Sequence, residues 1–129
     1  MDKRLEEYQK FIDALVRLSP SKEAHWTRGK AWPRTFENFE INALLADLSD
    51  AQLDLLAELL QNARDGAIHD VLAYLEEEVD CGGMQLSRCD TPLAVDPYGS
   101  ELYTDWEARK SGKEWPEDQL NREYTDGAE

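Results

Sequence analysis

Polar side chains interrupt the most apolar stretch of the sequence at Asn62-Ala63-Arg64-Asp65-Gly66-Ala67-Ile68-His69-Asp70, and chemistry is sought there first. Asp65 and His69 are four residues apart. On a continuous helix they share a face and can hydrogen-bond or offer two ligands to one metal ion, while Asp70 points elsewhere. Two ligands do not make a metal centre, and no His-Glu-x-x-His or related motif completes them. The weightier reading makes His69 a structural hydrogen-bonding residue near a helix break, paired with Asp65 or Arg64. The competing reading is a pocket of Asp65, Gly66, His69 and Asp70, walled by Trp26 or Trp106.

Other chemistry-bearing residues are few. Cys81 and Cys89 are spaced so that a disulfide can close between them, and with His25 and His69 they make four zinc-binding side chains. Cys-x7-Cys with scattered histidines lacks the tight spacing of structural zinc sites, so two free thiols are expected. No phosphate-binding glycine loop, Gly-x-Ser-x-Gly elbow or dinucleotide fingerprint is present. No catalytic residue, cofactor or metal is therefore expected. Glu76-Glu77-Glu78 reads as a solvated helix face, since 28 acids in 129 residues make close pairs inevitable.

All four tryptophans lie in an internal echo, Trp26-Thr27-Arg28-Gly29-Lys30-Ala31-Trp32-Pro33 against Trp106-Glu107-Ala108-Arg109-Lys110-Ser111-Gly112-Lys113-Glu114-Trp115-Pro116. In each copy a helix is expected to end at the glycine, followed by an aromatic anchor and a proline stop. One helix exit used twice is preferred to a pair of basic-aromatic corners gripping one ligand.

These residues must be held by helices. Leu5, Tyr8, Phe11, Ile12, Leu15, Val16 and Leu18 recur at three and four residues, which predicts one amphipathic helix ending at Ser19-Pro20. Ser19 then serves as cap, with Pro20 in the first position, for a short helix stopping near Gly29. Phe36, Phe39, Ile41, Leu44, Leu45 and Leu48 predict another. Ser49 with Gln52 reads as a capping box opening a stripe of Leu53, Leu56, Leu60, Ala63, Ala67, Val71, Leu75 and Val79. A helix of about thirty residues is about 45 Å long. One compact body of this chain length is only about 36 Å across, so a kink or break is expected at Gly66. Met84-Gln85-Leu86-Ser87 and Pro92-Leu93-Ala94-Val95 predict a small hairpin turning at Cys89-Asp90-Thr91. Ser100 is the expected cap of a helix running to Gly112. The fold expected is mainly α, five or six helices around one core in a single domain over residues 1–115, with the hairpin near residues 84–95 and a polar tail over 116–129.

The net charge of −14 has an address. Residues 36–105 hold two Lys/Arg against sixteen Asp/Glu, whereas residues 1–35 hold eight against five. That field repels phosphate backbones, so direct nucleic-acid binding is not expected. No apolar run is long enough to span a bilayer, and Met1-Asp2-Lys3-Arg4-Leu5-Glu6-Glu7 is not a signal core, so a cytoplasmic location without membrane contact is expected.

Phe11-Ile12-Asp13-Ala14-Leu15-Val16, Ala63 to Asp70, Tyr103-Thr104-Asp105-Trp106 and Glu114-Trp115-Pro116 together resemble a family of small uncharacterised bacterial proteins, a domain of unknown function. The resemblance implies a cytosolic, α-rich single domain and carries over no activity. The functional expectation is a non-enzymatic protein-interaction module, immunity- or inhibitor-like, presenting its acidic central region to a basic protein partner. The alternatives are a small enzyme or ligand-binding protein with a pocket around Asp65 and His69 and, less favoured, a DNA mimic.

Overall fold

The structure, a computed structural model, describes residues 2–120. The chain falls into two compact units, Met1–Leu18 with Ile68–Glu129, and Ser19–Ala67. It is mainly helical. The elements are α1 (Lys3–Arg17), α2 (Lys22–Arg28), a 3-10 turn (Phe36–Asn38), α3 (Phe39–Ala46), α4 (Asp50–Asp80), the strands β1 (Ser87–Arg88) and β2 (Thr91–Pro92), and α5 (Leu102–Lys110). No helix among the described residues is long and apolar enough to cross a membrane.

In the first unit, α1 opens where the Asp2 carboxylate accepts from the amides of Arg4 (2.7 Å) and Leu5 (3.2 Å), satisfying donors that a helix start leaves free. Leu5, Tyr8 and Ile12, at helical spacing, turn inward against Leu72, Leu93, Tyr98, Leu102 and Trp106. Each such burial contributes roughly 1.5–3 kcal/mol before entropy is charged. Tyr98 stacks on Trp115 at 5.6 Å. The hairpin lies within the predicted span but is shorter. Ser87 pairs with Pro92 and Arg88 with Thr91, antiparallel, around a two-residue turn in which Cys89 and Asp90 both have positive φ (52° and 63°). That backbone matches the twist of paired strands. The amide of Ala94 donates to the Arg4 carbonyl (3.1 Å), fixing the returning chain to the start of α1. The predicted tail is described only to Leu120, whose amide donates to the Pro97 carbonyl (2.6 Å); residues 121–129 lie outside the described residues.

The second unit has a smaller apolar centre of Ala24, Leu45, Leu53 and Ala57. Ser49 and Gln52 form the predicted capping box, backbone amide to side chain in both directions at 2.9 and 3.2 Å. The cap of α2 is Ser21, not Ser19. Ser19 instead donates its hydroxyl to Asp65 (2.6 Å), which leaves Ser21 to accept from Ala24 (3.1 Å).

The expected break at Gly66 does not occur. α4 is uninterrupted over 31 residues, because the length argument assumed one compact body and the helix contributes to two units. Gly66 is exposed with no side chain near its missing Cβ. The echoed Trp-Pro segments do share a helix exit. The amide of Ala31 donates to the Trp26 carbonyl and that of Lys30 to Thr27, and Lys113 to Ala108 with Gly112 to Arg109 repeats the pattern, all at 3.0–3.1 Å. This is a Schellman closure. Its left-handed residue is Gly112 in one copy (φ 89°) and Lys30 in the other (φ 59°), so Gly29 stands one place too early.

Candidate carboxyl pocket

The functional candidate the structure brings out lies in the first unit and was not read from the sequence. Glu76, four residues after the fully buried Leu72, falls on the inward face of α4 and is only 8% exposed. The solvated-face expectation for Glu76-Glu77-Glu78 therefore holds for Glu77 and is corrected for Glu76. Its Oε1 accepts from the amide of Leu102 (2.7 Å). α5 has no side-chain cap of its own, from Glu101 or from the predicted Ser100, so a carboxyl from α4 caps it. Ser100 donates instead to Asp105 Oδ1 (2.7 Å).

Glu76 also shares a hydrogen bond with Asp96. Asp96 is held at φ 44° immediately before Pro97, a backbone state costing of order 1–3 kcal/mol for a residue other than glycine. Two carboxyls can hydrogen-bond only through a proton. Burial, more than the hydrogen bond and charge of Asp96, pushes Glu76 up to about 8, against the lowering effect of the Leu102 amide. Asp96 is also raised, chiefly by burial, although its bond to Glu76 favours its charged form. Both carboxyls are thus pushed toward the protonated form and share a proton between them. Asp80, one turn beyond Glu76, brings a third carboxylate, and the three offer oxygens within 4.8 Å of one another. Among the described residues these are the groups able to hold a cation.

The pair opens into a pocket of about 200 Å³. Its walls include Val79, Met84, Leu86, Leu93 and Leu102, and no lysine or arginine is among the described residues lining it. Tyr8 lines it too, donating its hydroxyl to Asp105 Oδ2. Burial is the main reason both groups are raised, Tyr8 as a phenol and Asp105 as a carboxyl.

The residues singled out from the sequence fall into separate sets of contacts. Asp65, in the second unit, accepts from Ser19 and from Gln61 Nε2 (3.2 Å). Trp26 lies against Trp32 with ring centroids 5.6 Å apart, below Lys22 at 5.8 Å. In the first unit, His69 packs on Tyr103 at 4.6 Å, and its Nδ1 is 3.6 Å from the exposed Asp70. Trp106 is wholly buried beneath Lys110. Cys81 and Cys89 are free and exposed, and His25 is exposed.

Fold and pocket together define a mainly helical, strongly acidic chain with a carboxyl-floored cavity in its larger unit. The chain belongs to DUF6547, a family of unknown function whose sequence profile matches residues 1–117. No match was found among curated proteins or among solved structures.

Proposed function

We propose that the chain is a non-enzymatic binding module that seats a lysine or arginine side chain of a basic partner protein in the carboxyl pocket. The observation carrying this reading is the clustering of Glu76 and Asp96, with Asp80, their oxygens within 4.8 Å of one another, at an apolar-walled cavity whose described lining holds no lysine or arginine. A lysine or arginine offers an aliphatic stem to those walls and a charge to the pair. The size agrees: about 200 Å³ is below the roughly 300–1,000 Å³ of pockets for whole small ligands. A hard metal ion is the poorer occupant, because it retains water ligands that the apolar walls cannot serve. The net charge of −14 would draw a basic partner in. An immunity- or inhibitor-type protein acting in the cytoplasm fits this chemistry and the two free thiols. The Asp65/His69 alternative draws less support, since Asp65 already accepts from Ser19 and Gln61.

The test is calorimetric titration with a blocked lysine peptide and its norleucine twin. Saturable binding of the lysine peptide alone is expected, about tenfold or more weaker in Glu76→Gln/Asp96→Asn. A cation displaces the shared proton, so proton release should accompany binding and affinity should rise as pH increases through about 8. Equal binding of both peptides, or by protein and variant, would overturn the reading.

A further inference from the structure

The side of α1 away from Tyr8 forms a second cavity of the first unit, a groove of about 670 Å³. Four cations line it, Lys10, Arg17, Arg88 and Arg109, against the lining carboxylates Glu6 and Asp13 and the buried Glu7 that pairs with Lys10 and Arg88, a local excess of one positive charge. In a chain of net charge −14 this is a local reversal of sign, two of its cations coming from the net-basic residues 1–35. The pairing is incomplete by arrangement. Asp13 is fully engaged, accepting from Arg109 Nε (2.8 Å), from Arg109 Nη2 (3.1 Å) and from the Trp115 indole (3.4 Å). Glu7 is buried, accepting from Arg88 Nη1 at 2.5 Å and from Lys10 Nζ at 3.2 Å. Arg88 and Lys10 nevertheless keep about half of their side chains exposed. Lys10 also bridges Glu6 at 3.2 Å; a guanidinium has five N–H donors and an ammonium three, so these contacts still leave donors over on both. Arg17 is exposed in the last turn of α1, where the helix dipole favours a cation.

We infer that this groove is a binding site for a small organic dianion carrying two oxyanionic groups, carboxylate or phosphate, on a short carbon chain. Lys10 and Arg17 are seven residues apart on one helix, about 10 Å along its axis. Both side chains line the one groove, with Arg88 of the hairpin alongside. The volume lies within the range of small-ligand pockets. Phe11 and Ala14 supply apolar surface for the carbon chain. A long polyanion would meet the repulsion of the whole chain, whereas a small dianion enters where the local sign is positive, with more distant charges screened beyond roughly 8–10 Å.

The full chain, labelled with nitrogen-15, is titrated with glutarate and separately with glycerol phosphate, against sodium chloride at matched ionic strength. Saturable shifts at Lys10, Arg17, Arg88 and the Trp115 indole are expected with one probe or both, which also identifies the oxyanion preferred. Arg17→Gln, at an exposed position, should keep the fold and weaken binding about tenfold. Shifts no larger than those with chloride overturn the site, as does saturable binding unchanged in Arg17→Gln. A folded Arg88→Lys variant that retains the charge should bind with intermediate affinity.

Discussion

In the second unit, Gln61 donates to the Ser19 carbonyl (2.7 Å) and to Asp65, and accepts from the Ser21 amide (2.9 Å), while Ser19 donates to Asp65. In the first unit, Glu76 meets Asp96, with Asp80 beside them. Both clusters are built on inward positions of the same helix, yet they differ in stoichiometry. The first combines one carboxylate with enough donors to satisfy it, and it serves as structure. The second joins carboxyl groups through a shared proton, and a cation can take that proton's place. A buried polar cluster is thus read by counting donors against acceptors before asking what it does.

The difference can be broken at either end. Asp65→Ala should have the largest effect, because it strands the Ser19 hydroxyl and one Gln61 contact. A loss of about 1–3 kcal/mol is expected in urea unfolding, and a loss within error would show that this cluster is not structural. Glu76→Gln should keep an acceptor for the Leu102 amide while removing the titration. In the parent chain the raised carboxyl adds stability that is complete below about pH 4.5 and is lost as pH rises through about 8. Unfolding midpoints at pH 5, 7 and 9 should therefore fall for the parent relative to the variant. Parallel curves would remove the shared proton from the account. The smallest effect belongs to Phe36→Ala. Phe36 is 97% exposed, so a change within about 0.5 kcal/mol is expected. A larger loss would mean that the second unit uses this ring for packing.

Where side chains sorted cleanly, the sequence was readable. The stripe of α1, the Ser49/Gln52 box and the helix exits at the two Trp-Pro segments each follow from local spacing and local hydrogen bonds. The inward line of α4 was harder, because polar residues occupy part of it. Gln61, Asp65 and Glu76 hold inner positions, each satisfied by a partner, so apolar periodicity skips them and points to Val71 where Leu72 is buried. The signal for Glu76 was present in its distance of four from Leu72. Nothing local announces Asp96. Its place depends on the positive φ before Pro97 and on a partner twenty residues earlier, and such long-range pairings leave no period in a sequence.

The repeated helix exit also makes the two units optically distinct. Each contains two of the four indoles, Trp26 with Trp32 in one and Trp106 with Trp115 in the other. Trp106 is sealed from water and the other three are half-buried. An enclosed indole emits at shorter wavelength than one that water reaches, so the intrinsic fluorescence of the chain is a composite spectrum whose blue edge belongs to the Trp106 environment. Unfolding followed at the two edges of that band would trace the Trp106 surroundings apart from the rest without any attached dye.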